Sequence, residues 1–397
     1  MSLPELPKFA EAVMERLERA GYEAYAVGGC VRDPLLGLTP NDWDVTTDAR
    51  PERVAELFSE PPFRAIPTGM AHGTVTVLSS GEPVEVTTYR IDGEYTDCRR
   101  PDSVSFTSSL EADLARRDFT INAMAYSPKR GLIDPFGGRD DLSARLIRCV
   151  GEPEKRFSED ALRILRAVRF ASVLAFGTEP GFELETRTAN AALELCGLLS
   201  RISRERVSAE LVKLLHGGHA PAVIRQYEPI LREVIPLADC ADTVGRLNEM
   251  GAETPLLLAA ALFGRQDARE ILRELRFDRK TIRRVGEILS RPGAKDYPGA
   301  KLLCAEVGAD IARDIETLAA ARGDIPAECA GFVGEILRRG ECISLKQLRI
   351  DGEGLLSLGV EPGRIGGALN RLLREVIEGN LQNERSSLAD YAAKHLL

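Results

Sequence analysis

The chain has 397 residues, of which 44% are hydrophobic, and it carries a formal net charge of −9. A chain of this length exceeds one ordinary hydrophobic core, so we predict two to four structural units. The acidic balance weighs mildly against a protein that coats nucleic acid nonspecifically, but it leaves room for a local basic patch. The eight cysteines are scattered singly and form no C-x-x-C pair, which indicates neither a zinc site nor a disulfide framework.

The chain shows no membrane or export signal. No uninterrupted apolar run reaches the length of a membrane span. The first ten residues lack a basic start followed by an apolar block, which is the pattern of a secretory signal. These features predict a reduced, cytoplasmic protein.

The secondary-structure patterns change along the chain. In the first third, amphipathic helices are expected at 6–20 and 51–58, and alternating β-prone segments predict strands at 23–27, 43–47, 74–78, 84–89 and 132–134. From Asp141 onward, helical periodicity dominates. We therefore predict an α+β fold, in which a small mixed-sheet head is followed by all-helical modules.

The glycine turn Gly28-Gly29 follows the first predicted strand. Adjacent glycines between a strand and a helix let backbone N–H groups approach a phosphate closely, and Arg32 adds a fixed positive fork. Pro34 stands where a helix can begin. Glycine pairs also mark ordinary turns, so the phosphate site is a hypothesis that depends on its neighbours.

Asp42 and Asp44 lie two residues apart in the next predicted strand. Because side chains alternate along a strand, both carboxylates are expected on one face. Glu85, on a later strand, would add a third carboxylate able to attract the proton of an incoming hydroxyl. Beside a phosphate-binding turn, these oxygens predict a catalytic Mg²⁺ site. The alternative is a surface turn, a solvated strand and a surface glutamate.

The segment 116–124 has a charged start before an apolar run, with Asp118 as the predicted helix N-cap and Asn122 one turn later. One interpretation is a charged cap on an ordinary helix. The functional interpretation is that Arg117 and Asp118 bind the ribose hydroxyls and phosphate of a nucleotide, which would select RNA precursors over DNA precursors.

A predicted helix over 159–170 carries charges at Asp160, Arg163, Arg166 and Arg169, which cover about half of its circumference. A carboxylate accepts from an exocyclic amine, and a guanidinium donates to a ring nitrogen. Cytosine and adenine present that pair, whereas guanine and uracil present the reverse. Asp160 with Arg163 would therefore select C and A without a nucleic-acid template. The alternative is a basic amphipathic helix.

A second basic cluster occupies 269–291, with eight basic residues against four acidic ones. A solvated helix with i,i+4 ion pairs explains this pattern as well as a phosphate-contacting patch does. The candidate RNA-binding residues are Arg276, Arg279, Lys280, Arg283 and Arg284.

The glycine turn and the Asp-x-Asp pair together resemble the signature of the nucleotidyltransferase superfamily built around DNA polymerase β. Seven motifs stand in the order shown by class II tRNA nucleotidyltransferases, the CCA-adding enzymes, and their bacterial poly(A) polymerase relatives. These motifs are GGCVRD, NDWDVTTDA, VEVTTYR, RRDFTINAMAY, DPFGGRDDL, EDALRILRAVRF and ISRERV. The C-terminal region is similar to that of Gram-positive-type members.

This resemblance implies four parts: a polymerase β-like head at 1–148, a base-recognising neck at 149–215, an RNA-binding body at 216–295 and a tRNA-binding tail at 296–397. It also implies two Mg²⁺ ions on Asp42 and Asp44, CTP and ATP as substrates, and the 3′ end of tRNA as acceptor. The expected nucleotide-binding residues are Gly28, Gly29, Arg32, Arg117, Asp118, Asp160, Arg163, Arg166 and Arg169.

Three features favour CCA addition over poly(A) synthesis. The chain shows no long basic C-terminal extension, its length suits a four-part enzyme, and segment 91–101 resembles the loop with which CCA-adding enzymes switch from C to A. Poly(A) synthesis and partial CC or A addition stay as alternatives. The intact carboxylates disfavour a non-catalytic RNA-binding protein, and the long helical region disfavours a small-molecule nucleotidyltransferase. No protein partner is indicated, and a homodimer is left open.

Overall fold

The computed structural model describes residues 5–93, 104–174 and 181–396. The chain divides into two compact units, Met1–Pro236 and Leu237–Leu397. In the described ranges, no helix is both long and apolar enough to cross a membrane.

The first unit contains a seven-stranded mixed sheet. Two further sheets have two strands each. The strands of all three sheets are, in chain order, β1 (Ala24–Val27), β2 (Asp44–Thr47), β3 (Phe63–Gly69), β4 (Thr74–Ser79), β5 (Glu82–Thr88), β6 (Arg90–Asp92), β7 (Val104–Phe106), β8 (Ala125–Ser127), β9 (Gly131–Ile133), β10 (Leu146–Ile147) and β11 (Glu183–Leu184). The two-stranded sheets are formed by β6 with β7 and by β10 with β11. The large sheet has the order β3-β4-β5-β2-β1-β8-β9. Strand β2 pairs in parallel with β5, and the other neighbours in this sheet are antiparallel.

The sheet forms because its strands carry the expected apolar alternation. In β4 and β5, Val75, Val77, Val84 and Val86 are completely buried, while the residues between them are more exposed. Strand β1 lies between β2 and β8 and is buried along its whole length. A period of two places one side chain in every pair on the core face. This core holds the central strands in the positions on which the candidate site depends.

Eleven helices accompany the described strands of the first unit. They are α1 (Lys8–Arg19), α2 (Gly29–Leu35), α3 (Pro51–Leu57), α4 (Leu110–Ala115), α5 (Gly138–Ala144), α6 (Pro153–Glu159), α7 (Leu162–Val173), α8 (Thr186–Leu195), α9 (Arg204–Leu215), α10 (Ala220–Gln226) and α11 (Glu228–Arg232). Helix α7 packs against α9, and α6 packs against α8.

The second unit is helical throughout its described part. Its helices are α12 (Ala241–Glu249), α13 (Thr254–Ala261), α14 (Ala268–Glu274), α15 (Arg279–Ile288), α16 (Tyr297–Val307), α17 (Ala309–Arg322), α18 (Phe332–Arg339), α19 (Gly352–Ser357), α20 (Ile365–Ile377) and α21 (Arg385–His395). The run Leu256–Ala261 in α13 is buried residue after residue, so α13 is a core helix. The predicted fold class, a mixed-sheet head followed by helical modules, is confirmed.

The expected helix start at Pro34 is wrong. Helix α2 begins at Gly29, and Pro34 lies near its end. Gly28 adopts φ 79° and ψ −132°, a backbone conformation that residues with a Cβ rarely reach. This conformation lets the chain enter α2 directly after β1, five residues earlier than the proline suggests.

The expected helix after Asp118 is also wrong. Residues Thr120–Asn122 form a single 3₁₀ turn, and strand β8 follows. Strand β8 pairs with β1, and its first residue, Ala125, is fully buried. Strand pairing and burial therefore override the local helical pattern.

The single helix expected over 159–170 is two helices. Helix α6 ends at Glu159 and α7 begins at Leu162, while Asp160 has an extended backbone with φ −138° and ψ 100°. The Asp160 carboxylate accepts a hydrogen bond of 3.1 Å from the backbone N–H of Leu162. An aspartate competes well for such a terminal N–H group, which explains why the helix breaks at this residue.

Candidate active site

Asp44 and Glu85 lie side by side on the sheet. The parallel pairing of β2 with β5 aligns these two residues in register. Asp42 precedes the strand in a bend, because β2 begins at Asp44 and not at Trp43 as predicted. The prediction that Glu85 lies on a strand next to Asp44 is confirmed. The predicted strand begins one residue too early, and Asp42 lies outside the observed strand.

The electrostatics of this carboxylate cluster favour a bound cation. Burial raises the pKa of Asp44 to about 6, and the negative charges of Glu85 and Asp42 act in the same direction. Arg117 opposes them in part. Within the described ranges, no three His, Cys, Asp or Glu side chains already converge at metal-binding distances. The donor set nevertheless fits Mg²⁺, since its hard carboxylate oxygens carry excess negative charge beside the glycine turn.

The glycine turn lies directly against these carboxylates. A Cβ atom added to Gly28 would stand 3.5 Å from Arg117 Nη1 and 3.9 Å from Asp44 Oδ2. The Cys30 thiol is 3.3 Å from the Val27 carbonyl oxygen and 3.5 Å from that of Asp44. Burial raises the pKa of Cys30 to about 12, so the thiol is uncharged. It links α2 to β1 and β2 through these two carbonyl oxygens. The turn, the guanidinium and the carboxylate form one compact site.

Arg32 and Arg117 both supply positive charge beside the glycine turn. Arg32 is buried and donates to Asn122 Oδ1 at 2.6 Å and to Asp33 Oδ1 at 2.8 Å. Arg117 Nη2 lies 3.4 Å from Asp113 Oδ2. In the described part of the chain, the buried Arg117 Nε has no hydrogen-bond partner.

Asp118 is occupied by protein donors. Its Oδ1 accepts from the backbone N–H of Phe119 at 2.9 Å and from Asn122 Nδ2 at 3.1 Å. Its Oδ2 accepts from Arg166 Nη2 at 2.6 Å. Although burial acts to raise the pKa of Asp118, Arg166 and these hydrogen bonds hold it well below its usual range. Asp118 thus joins the 3₁₀ turn to α7.

Three guanidinium groups surround the ring of Phe170. Their central carbons lie 5.0 Å (Arg32), 5.5 Å (Arg166) and 3.8 Å (Arg169) from the ring centroid, within the range of cation–π attraction. The buried Glu210 of α9 lies 2.5 Å from Arg169 Nε and 3.8 Å from Arg166 Nη1. Sequence reasoning missed Phe170 and Glu210; the only available signal was a phenylalanine ending the arginine-rich motif.

Asp160 and Arg163 have different partners. Asp160 forms a two-point ion pair with Arg206 of α9, at 2.7 and 3.3 Å. Arg163 is buried and donates to Glu159 at 2.9 Å and to the Arg116 carbonyl oxygen at 3.0 Å. The two residues of the predicted pair are three positions apart in sequence, and each is oriented by its own oppositely charged partner.

The basic cluster of the second unit divides by burial. Asp278 caps α15 by accepting from the backbone N–H groups of Lys280 and Thr281, at 2.9 and 3.0 Å. Arg284 points to the buried Asp314 at 2.6 Å, so its charge is neutralised inside the unit. Arg283, Arg279 and Lys280 are exposed, and Arg283 pairs with Glu287 at 2.8 Å. Arg276 precedes α15 with a left-handed φ of 62°.

Comparison with known families identifies the parts of this architecture. A model of the poly A polymerase head domain matches residues 24–148, and one described as a probable RNA and SrmB-binding site of polymerase A matches 181–228. A model of putative tRNA nucleotidyltransferase domain 2 matches residues 252–392. The fold and the site therefore define a nucleotidyltransferase with a poly(A) polymerase-type head.

Relatives that match nearly the whole chain identify the family within this class of nucleotidyltransferases. The CCA-adding enzyme of Geobacillus stearothermophilus is 36% identical over 405 residues and 96% of each chain, and that of Lactobacillus delbrueckii subsp. bulgaricus is 37% identical over 409 residues and 97% of each chain. The solved Bacillus stearothermophilus CCA-adding enzyme in complex with CTP matches with a TM-score of 0.78 at 33% identity, over 98% of each chain. The Thermotoga maritima enzyme complexed with tRNA shares the fold, with a TM-score of 0.70 at 24% identity over 99% of this chain and all of that chain. The chain belongs to the family of CCA-adding enzymes, and the sequence resemblance is confirmed.

Proposed function

We propose that this protein adds C, C and A to the 3′ end of tRNA, using CTP and ATP with two Mg²⁺ ions and releasing pyrophosphate. The observation that carries this proposal is the register of Asp44 with Glu85 beside Gly28 and Arg117. The segment 91–101, expected to act in the switch from C to A, lies from residue 94 onward outside the described residues.

Each carboxylate has a distinct part in the proposed reaction. Asp42 and Asp44 would hold Mg²⁺, which when bound polarises the phosphoryl group and lowers the pKa of the attacking hydroxyl. Glu85, in register with Asp44, adds negative charge where the 3′-hydroxyl gives up its proton. Arg117 lies against the glycine turn, with Nη1 3.5 Å from the position of a Cβ on Gly28, and this guanidinium would donate to a ribose or phosphate oxygen.

Base selection is assigned to the junction between α6 and α7. The Asp160 carboxylate would accept from the exocyclic amine of cytosine or adenine, and Arg163 would donate to the adjacent ring nitrogen. Arg206 and Glu159 hold these two side chains in place before the base arrives. When protein side chains form the hydrogen bonds that select the base, no nucleic-acid template is needed. This is consistent with addition of a fixed sequence.

Contacts to tRNA are assigned to the exposed end of α15. Arg279 and Lys280 in its first turn are exposed, and we infer that they contact phosphates. The four-part division at 148, 215 and 295 is retained as part of the proposal.

One experiment tests the function directly. Purified protein is incubated with tRNA that ends at the discriminator base, with CTP, ATP, or both, in Mg²⁺ or EDTA, and the 3′ ends are sequenced. We expect CC with CTP alone, CCA with both, and no addition in EDTA. A run of A without C would instead establish poly(A) synthesis, addition that stops at CC or needs a CC end would establish a partial enzyme, and no addition in Mg²⁺ would overturn the proposal.

A further inference from the structure

Asp113 is a fully buried carboxylate next to the proposed nucleotide site. Its side chain, in α4, is 0% exposed. Oδ1 accepts from Arg116 Nη2 at 2.7 Å and from the backbone N–H of Arg90 at 3.3 Å. Oδ2 lies 3.2 Å from Thr46 Oγ1 and 3.4 Å from Arg117 Nη2. A buried charge with partners on both oxygens is costly to move, so it fixes the groups around it.

The position of Asp113 connects it to the metal-site strand. Thr46 lies two residues after Asp44 on β2, so both side chains are on the same face of the sheet. Asp113 therefore packs on the face that carries the catalytic carboxylate. The contact between Asp113 and Thr46 thus joins helix α4 to β2 two residues from Asp44.

The two terminal nitrogens of the Arg117 guanidinium face different neighbours. Its Nη2 faces Asp113, while Nη1 lies 3.5 Å from the Cβ position of Gly28. Its buried Nε has no partner among the described residues. The orientation of the planar guanidinium thus depends on the contact with Asp113.

The charge of Asp113 persists at neutral pH. Burial alone would raise its pKa, but the positive charges of Arg117 and Arg116 outweigh burial and leave the pKa below its ordinary value. A permanent anion is the partner that a guanidinium needs to stay in one orientation.

We propose that Asp113 is a positioning residue that orients Arg117 toward the ribose of the incoming nucleotide and so sets the preference for ribonucleotides. This inference rests on the proposed function and on the role proposed there for Arg117. Asp113 itself is too deeply buried to touch the substrate.

The test compares CTP with dCTP for the full-length Asp113→Asn variant. We expect the ratio of kcat/KM for CTP to that for dCTP to fall roughly tenfold, mainly through a higher KM for CTP, since a charged hydrogen-bond partner is lost. Glu111→Gln removes an exposed carboxylate from the same helix and is the matched control, with an unchanged ratio expected. Arg117→Ala should lower the ratio by itself, and adding Asp113→Asn should lower it no further.

The outcomes separate the two proposals. An unchanged ratio in a folded Asp113→Asn protein, or a further fall in the Arg117→Ala background, would overturn the role of Asp113. If Asp113→Asn fails to fold, Thr46→Val is used instead, because it removes the hydroxyl that contacts Asp113 Oδ2, the oxygen that faces Arg117. We expect a smaller fall in the CTP to dCTP ratio. An unchanged ratio in this variant would refute the proposal. If the wild-type protein extends no tRNA, the proposed function fails, and calorimetric binding of CTP and dCTP by the same variants still decides the role of Asp113.

Discussion

The charged form of the Asp44 carboxylate is disfavoured in the folded protein. Burial and the nearby Glu85 both oppose its ionisation, and they raise its pKa to about 6. We expect Asp44→Asn to abolish nucleotide addition, because a neutral amide is a poor Mg²⁺ ligand, and to raise the free energy of unfolding in Mg²⁺-free buffer. The gain should be about 1 kcal/mol or more, the scale of a one-unit pKa shift.

Urea unfolding and incorporation assays measure the two effects on the same samples. Ser143→Ala, an exposed substitution in α5, is the control and should change neither. Substantial turnover by Asp44→Asn would refute its assignment as a metal ligand.

Asp160 offers a test of base selection by hydrogen-bond polarity. In Asp160→Asn, the amide presents an N–H₂ group as well as a carbonyl, so the strict preference for an exocyclic amine is lost. Misincorporation of UTP or GTP relative to CTP and ATP should rise roughly tenfold to a hundredfold, since a bidentate base contact discriminates by about 1–3 kcal/mol. Competition assays with mixed nucleotides and one tRNA primer measure this ratio.

The companion change at Arg163 distinguishes selection from simple damage. Arg163→Ala should lower the use of CTP and ATP together, because both ring nitrogens lose the same donor. If Asp160→Asn keeps full fidelity for C and A, the carboxylate serves the ion pair with Arg206 and does not select bases.

At the scale of elements, the turn between β1 and α2 is the most demanding piece of backbone. Gly28 has φ 79° and ψ −132°, and a Cβ there would contact Arg117 and Asp44. Gly28→Ala should destabilise the protein by about 1–3 kcal/mol through backbone strain and should also reduce nucleotide addition. Thermal unfolding and the CTP assay measure the two effects.

The matched control is Gly366→Ala in helix α20. Nothing lies within 4 Å of a Cβ at that position, which is exposed, so alanine should be neutral or stabilising by up to about 1 kcal/mol. Equal stability of Gly28→Ala and the wild-type protein would show that the turn tolerates a side chain.

The elements also show what local patterns can and cannot predict. Alternation correctly predicted the strands that carry Asp44 and Glu85, because burial of one strand face leaves a period of two in the sequence. The break at Asp160 was missed, since it depends on a carboxylate that accepts from the Leu162 N–H and pairs with Arg206 of a distant helix. The 3₁₀ turn after Asp118 was missed because pairing of β8 with β1 is non-local.

At the scale of the whole molecule, the order of motifs predicted the head and the helical region that follows. The roles of individual arginines depend on which buried carboxylates they pair with, and the sequence alone does not reveal these pairs. Asp113, Glu210 and Asp314 are each buried against arginines that lie elsewhere in the chain or one turn away. Arg284 illustrates the consequence: its sequence neighbours suggest a phosphate contact, whereas its ion pair with Asp314 gives it a structural partner.

Arg279 and Lys280 are exposed on a chain whose net charge is −9, and a salt titration tests whether they contact tRNA phosphates. We expect the log of the tRNA association constant to fall linearly with the log of salt concentration. Charge reversal of Arg279 and Lys280 together should reduce that slope by roughly 1.4–1.8, because each lost phosphate contact contributes about 0.7–0.9. Filter binding across a range of KCl concentrations gives the slope.

Two control variants separate a phosphate contact from a general change in charge. Arg265→Glu alters an exposed arginine of the same unit that is already paired with Asp267, and it should leave the slope nearly unchanged. Arg284→Glu should instead lower the free energy of unfolding, because it places a second carboxylate against the buried Asp314. If reversal at Arg279 and Lys280 shifts the slope no more than Arg265→Glu does, the first turn of α15 is a solvated surface and the tRNA contacts lie elsewhere.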